Sequence, residues 1–416
     1  MFVPAARVQA IRESPSTQAA QRVRDLRAAG RTIVDLTVGE PDFDTPDHVK
    51  AAAVAAMDAG LTKYTPVNGI PALREAIAAK VLRRTGQAYG GNEIAVGGGA
   101  KQVIFLALMA GIDPGDEVIV PAPHWVSYPD MVAAHGGVPV VVSTACSNPP
   151  RASSVGPSIP HTTDGFRLTP QALDAAITPR TRWLVLNAPG NPTGTLYTPD
   201  ELAALADVLD RHPRVMVLCD EIYDEITFTD RPATSLVSVA PRLRERILLV
   251  NGVSKTYAMT GWRLGWGLGD PGLIGAVNTL QSQSSSCPSS ISQAAAVAAL
   301  TGDEAFVRRS VAAYRERRDL IHGLLADVDG LAPVRPDGSF YLFVNCAGLL
   351  GRTTPDGPTL TTDNDVVLFL LDHASVATIP GSAYGSSPYF RVSFAAAEPT
   401  LKDAAAAIGA AVATLR

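Results

Sequence analysis

Val215-Met216-Val217-Leu218-Cys219-Asp220-Glu221-Ile222-Tyr223 decides how this chain is read. Five apolar residues run without polar alternation, as in a strand buried on both faces of a helix-covered parallel sheet. The run then ends on an acid, which needs a partner in so apolar a setting. Asp220 is therefore either a helix N-cap or the holder of a positive charge on a ligand. The same grammar recurs on either side. Leu184-Val185-Leu186 leads into Asn187-Ala188-Pro189-Gly190-Asn191-Pro192-Thr193-Gly194, and Ile247-Leu248-Leu249-Val250 leads to Ser254-Lys255. Strand candidates fall at 118–120, 138–142, 182–187, 215–219 and 247–250, with helical candidates at 47–59, 71–84, 101–110 and 200–211. Such alternation predicts an α/β fold with a mostly parallel sheet, whose ligands bind in loops at the carboxyl ends of the strands.

The chain has 416 residues, 46% hydrophobic and 18% charged, more than one domain needs and enough for two cores. A net charge of -5 leaves no basic footprint, so nucleic acid and anionic membrane surfaces are not expected partners. Cys146, Cys219, Cys287 and Cys346 are widely spaced, which predicts reduced thiols in a cytoplasmic protein and no metal site. No apolar stretch is long enough for a transmembrane helix, and the N-terminus acquires charge too early for a signal peptide. An amphipathic helix is expected at 17–29, closed by Gly30. The Ser/Thr/Pro/Gly-rich segments 143–164 and 351–364 read as surface loops. A long helix over 303–328 should connect a central unit to a C-terminal α+β portion.

Other stretches carry chemistry. Gly97-Gly98-Gly99-Ala100-Lys101-Gln102 follows the strand candidate Ile94-Ala95-Val96 and opens a helix, where backbone amides and the macrodipole favour an anion. Lys255, at the end of a central strand, is placed for partial desolvation, which makes an amine a better nucleophile. Arg263 suits bidentate phosphate contact. Trp125, in His124-Trp125-Val126-Ser127-Tyr128, offers a ring for stacking, or belongs to the core. Arg391, in Phe390-Arg391-Val392-Ser393-Phe394, is a surface ion-pair former or a fork for a carboxylate. An amine, a buried acid, phosphate donors, a stacking ring and a carboxylate fork are the parts that hold pyridoxal phosphate and an amino acid.

The chain resembles the class I aminotransferases of PLP fold type I, in the bacterial aspartate aminotransferase-like branch. The likeness runs from Arg7-Val8-Gln9-Ala10-Ile11 through Gly39-Glu40-Pro41-Asp42-Phe43-Asp44-Thr45-Pro46 and Tyr64-Thr65-Pro66-Val67-Asn68-Gly69. It continues through Asp113-Pro114-Gly115-Asp116-Glu117 and Asn191-Pro192-Thr193-Gly194 to Asp220–Tyr223 and Ser254–Arg263. The resemblance implies a mostly parallel seven-stranded sheet sandwiched by helices, with a smaller α+β domain built from both chain ends. The large domain would span 47–319 and the small, substrate-closing one 1–46 with 320–416. It implies pyridoxal 5'-phosphate as cofactor, joined to Lys255 as a Schiff base, with Lys255 then moving a proton to and from the substrate. Asp220 would pair with the pyridinium nitrogen. Tyr223 and Asn191 would donate to the phenolic oxygen, and Trp125 would stack on the ring. Gly99, Ala100, Lys101 and Arg263 would hold the phosphate, with Tyr64 reaching over from the other subunit of a homodimer, and Ser254 would also bind the cofactor. Arg391 would fork the substrate carboxylate, with Gly39, Trp125 and Asn191 beside it.

The expected reaction is ping-pong transfer of an amino group from an L-amino acid to a 2-oxo acid. The alternative is another reaction on the same fold: β- or γ-elimination or replacement, cyclisation or oxidation. A non-enzymatic regulator would need a DNA-binding segment ahead of motifs that here begin almost at residue 1. A dinucleotide-dependent dehydrogenase would need a G-x-G-x-x-G that the glycine run does not form. Four residues depart from the pattern: His124, Gly190, Ser16 and Cys287, the last expected near the substrate side-chain end. No arginine is assigned to a distal carboxylate.

Overall fold

A computed structural model describes residues 2–11, 15–144 and 163–416. Most of the 143–164 segment, with Cys146, lies outside the described residues. Seven strands form the main sheet: β1 Ile94–Gly97, β2 Glu117–Ala122, β3 Val138–Ser143, β4 Thr181–Asn187, β5 Met216–Asp220, β6 Ile247–Gly252 and β7 Gly265–Leu268. Their order is β1-β7-β6-β5-β4-β2-β3, and β7 alone is antiparallel to its neighbours.

The missing polar alternation has a direct cause. Val217 and Cys219 pack into one core, with the helices Asp47–Asp58, Pro71–Thr85, Pro199–Arg211 and Ser290–Thr301. Leu218, between them, points into the other, under the helices Ala100–Gly111, Ser127–Ala134 and Pro271–Ser284. Both faces of the sheet are covered, so every position of β5 has to be apolar until Asp220.

The strand β7 has no strand-like composition, because Gly265-Trp266-Gly267-Leu268 is half glycine. Tertiary packing explains it. A Cβ on Gly265 would lie 2.3 Å from the backbone nitrogen of Ala100, and one on Gly267 would lie 2.8 Å from Val103. The helix that starts at Ala100 crosses this strand too closely for side chains.

A second core gathers Leu36 with residues from Tyr314 to Val412, and also takes in Ile222 and Tyr223. Its sheet comprises β8 Ala332–Val334, β9 Tyr341–Asn345, β10 Ile379–Pro380 and β11 Tyr389–Ser393, in the antiparallel order β10-β11-β9-β8. Near the N-terminus, Val34–Asp35 pairs in parallel with Val376–Ala377. The long helix expected over 303–328 runs from Ala305 to Ala326. Phe306 and Val307 at its start belong to the first core, and Tyr314, Ile321 and Leu325 to the second, so one rigid rod bridges the two. The helix at 17–29 spans Pro15–Ala28, with Gly30 beyond it at a φ of 85°. Among the described residues no helix is long and apolar enough to cross a membrane.

Candidate active site

A cavity of about 320 Å³ opens at the carboxyl ends of the central strands. Asp220 is the last residue of β5, in register with Asn187 of β4 and Val250 of β6. Only 4% of it is exposed. Tyr128 Oη donates to its Oδ2 at 2.7 Å, and the Ile222 amide donates to Oδ1 at 3.2 Å. Burial raises the Asp220 carboxyl above its ordinary range, against the pull of those two donors and of Lys255. Among the described residues no lysine or arginine lies within ion-pair distance of it.

Lys255 follows β6 by three residues and reaches back into the same cavity, its Nζ donating to the Gly39 carbonyl at 2.5 Å. Burial lowers its pKa to about 8, Arg263 and Arg391 push the same way, and Glu40 and Asp220 oppose them. About a tenth of this amine is therefore neutral and nucleophilic near pH 7, far more than for a lysine of ordinary basicity. Ser254 is buried beside it and lines the cavity.

Arg391 of β11 brings the second sheet to the cavity. It is 2% exposed, with Nη1 donating to Asn191 Oδ1 at 3.1 Å and Nη2 to the Thr37 carbonyl at 2.5 Å. Its Nε is buried without a partner. The Tyr341 and Tyr384 rings flank the guanidinium, 4.2 and 5.4 Å from its carbon. Asn191 is held in turn by its own amide, which donates to Asn187 Oδ1 at 3.0 Å. Tyr223 is buried, and its hydroxyl meets that of Tyr341 at 2.9 Å. Burial, then Tyr341, raises the Tyr223 pKa well above its usual value.

The opposite wall is the start of the helix Ala100–Gly111. The first turn of any helix leaves amides without intrahelical partners, and Ala100 and Lys101 of this turn line the cavity. Gly99 precedes them at a φ of 100°, and a Cβ there would lie 2.6 Å from the Arg263 guanidinium. Glycine at this point satisfies both the left-handed backbone and the close approach. Arg263 itself sits at a φ of 52°, a conformation rare for a non-glycine residue, and donates to the carbonyls of Thr260 and Gly98. The Lys101 ammonium lies 4.7 Å from the centre of the Trp125 ring, and burial followed by Arg263 lowers its pKa.

The fold thus brings Gly39, Ala100, Lys101, Trp125, Asn191, Asp220, Tyr223, Ser254, Lys255, Arg263 and Arg391 to one cavity, with Gly99 behind Arg263. Tyr64 is not among them: it is 91% exposed and lies outside the cavity. Cys287 does not line it either. Its sulfur accepts from the Thr65 amide and belongs to a neighbouring cleft with Gly98, Gln102 and Arg263. His124 and Gly190 border a small second cavity of about 30 Å³ behind Asn187, and the side chain of Ser16 lies outside the described residues. Sequence reasoning missed Thr37, Tyr128, Asn187 and Tyr341. Asn187 was within reach as the strand-end residue beside Asp220, and Tyr128 follows Trp125 by three residues. Nothing local marks Thr37 or Tyr341.

Three buried ionisable groups, Asp220, Lys255 and Arg391, therefore face one cavity, and among the described residues none of them has an ion-pair partner. Burying such charges is costly, and a ligand of complementary charge would offset that cost. A ligand carrying a cation for Asp220, a carboxylate for Arg391, an anion for the helix start and an electrophile for Lys255 would complement this cavity.

Known proteins match this arrangement. The family described as aminotransferase class I and II matches residues 31–408. The aspartate aminotransferase of Rhizobium meliloti strain 1021 is 47% identical over 410 residues, covering 99% of this chain and 96% of the relative. The aspartate/prephenate aminotransferase of Cereibacter sphaeroides is 45% identical over 96% of each chain. Among solved structures, the Rhizobium meliloti aspartate aminotransferase superposes with a TM-score of 0.93 at 45% identity, covering 100% of both chains. The Thermus thermophilus aspartate aminotransferase with maleate gives 0.88 at 39% identity, covering 99% of this chain and 100% of that one. The chain belongs to the class I and II aminotransferases, with their fold type I architecture, and is an enzyme of amino-group transfer.

Proposed function

We propose that this aminotransferase works with pyridoxal 5'-phosphate on Lys255 and takes the amino group of an acidic L-amino acid, aspartate foremost, passing it to a 2-oxo acid in ping-pong fashion. The observation that carries this reading is the set of unpaired buried charges around one cavity. The donor set fits the cofactor at each end: the Asp220 carboxylate suits a ring cation, the helix start at Ala100 and Lys101 with Arg263 suits a phosphate, and Lys255 is a depressed amine. When bound, the cofactor supplies a carbonyl for the amine and a ring that accepts the electron pair released at the substrate Cα.

The chain's own residues do the rest. Asp220 holds a proton at the ring nitrogen, which keeps the ring electron-poor. Tyr223 and Asn191 would donate to the phenolic oxygen, Trp125 would stack on the ring, and Gly99, Ala100, the backbone of Lys101, Ser254 and Arg263 would hold the phosphate. The Lys255 amine would be the base that takes and returns the proton at the substrate Cα. Arg391 forks the substrate α-carboxylate beside Gly39 and Asn191. With the backbone amide of Lys101 turned to the phosphate, its ammonium is a further cation on the cavity wall, suited to a second carboxylate, and relatives named for aspartate support that choice.

Further parts of the reading are a homodimer in which the exposed Tyr64 reaches the neighbour's phosphate, a cytoplasmic location, and a substrate-closing domain of residues 1–46 and 320–416 against 47–319. Borohydride reduction of the yellow protein, followed by peptide mapping, tests the central point: the cofactor should be found on the peptide containing Lys255. A colourless protein that ignores added cofactor overturns the reading. Following the visible band through a half-reaction across the amino acids should then rank acidic donors first.

A further inference from the structure

One side chain outside the expected set joins three of the groups around the cavity. Tyr341 opens β9, and Arg391 of β11 pairs with Phe343, two residues along. Tyr341 and Arg391 are therefore diagonal neighbours on one face of the sheet. The Tyr341 ring lies 4.2 Å from the guanidinium carbon, and its hydroxyl lies 2.9 Å from that of Tyr223. The same hydroxyl fills the space beside Gly39, where a Cβ would come within 3.0 Å of it. Only 1% of Tyr341 is exposed.

Each of the two hydroxyls has a single proton to give. If Tyr223 donates to Tyr341, it has nothing to donate into the cavity. If Tyr341 donates, the Tyr223 proton is left facing the cavity. The adjacent guanidinium charge favours the second arrangement, because a cation over the ring makes Tyr341 the stronger donor. A carboxylate seated on Arg391 neutralises that charge and weakens the donation. We propose that Tyr341 is a positioning residue that keeps the Tyr223 proton turned into the cavity and relaxes that hold when a carboxylate occupies Arg391. The inference rests on the proposed placement of the cofactor against Tyr223 and of the substrate carboxylate against Arg391.

The test is a pH titration of the visible band of the cofactor-loaded protein, with and without maleate as a non-reacting carboxylate probe. It compares the unaltered protein with Tyr341→Phe, Tyr223→Phe and the double variant. Tyr341→Phe should raise the midpoint by about half a unit to one unit, the scale of one hydrogen bond, and shrink the maleate-induced shift. The ring under Arg391 remains, so KM for the donor should stay within about twofold while kcat falls about three- to tenfold. In the Tyr223→Phe background the second substitution should add nothing, since the route through Tyr223 is already cut. Tyr341→Gln keeps a donor without the ring. It should hold its midpoint nearer the unaltered value while KM rises, which gives a reading even if Tyr341→Phe is unstable. An unmoved midpoint in Tyr341→Phe, or an equal shift in the Tyr223→Phe background, overturns the inference. A protein that shows no visible band at all overturns the functional reading instead.

Discussion

The Tyr128 hydroxyl donates to Asp220 Oδ2 across 2.7 Å, with both side chains buried beneath the carboxyl end of the sheet. This bond holds the carboxylate in its charged form, where burial alone pushes it towards protonation. Removing it with Tyr128→Phe deletes a hydrogen bond to a charged group, a loss of about 1.5–3 kcal/mol. kcat/KM should fall by about one to two orders of magnitude, and the melting temperature should drop by a few degrees with it. Steady-state kinetics checks this, and full activity in the variant would show that Asp220 is held charged by something else.

Arg391→Lys keeps a positive charge but loses the fork that meets a carboxylate with two parallel bonds. It also drops contacts to Asn191 and to the Thr37 carbonyl. KM for the amino donor should rise by about ten- to a hundredfold, and KM for the oxo acid should rise with it, because both substrates present the same group. A rise for only one of them would mean that the two carboxylates bind at different places.

Lys255 is depressed to about 8, chiefly by burial, and reacts only as the neutral amine. The sign follows directly: below that pH the ammonium dominates, so each unit of acidification removes about nine-tenths of the reactive form. Cofactor uptake by the cofactor-free protein should therefore climb about tenfold per unit up to about pH 8 and level off above it. Stopped-flow absorbance measures the profile. A rise that continues unbroken to about pH 10 would show an amine of ordinary basicity.

Glu221 and Asp224 bracket the turn that presents Tyr223, and both are buried against Arg84 of the helix Pro71–Thr85, with Lys80 also reaching Asp224 at 3.8 Å. Arg84→Met strips the shared cation from two buried acids. Breaking such a group from one side costs about 3–5 kcal/mol. Denaturant unfolding should show that loss, whereas an unchanged midpoint would mean that Lys80 alone suffices.

Much of this protein was legible along the chain. Runs such as Val215–Cys219 announce a sheet covered on both sides, because burial on each face removes every reason for a polar residue. The strand-end positions of Asp220 and Lys255 announce the site, because a charge following such a run has to be completed by something outside the strand. Local patterns also place the helices to within a few residues. Only the tertiary structure decided the rest. β7 is a strand despite its glycines because the helix at Ala100 presses against it, a contact between segments more than 150 residues apart in sequence. Tyr341 and Thr37 join the site through packing across elements, which leaves no periodic trace in their own neighbourhoods. Arg391 carried two meanings in the sequence, an exposed ion pair or a carboxylate fork. Its burial among Tyr341, Tyr384 and Asn191, with no acid in ion-pair reach among the described residues, removes the exposed ion pair and supports the proposed fork, an enclosure that only the meeting of two sheets creates.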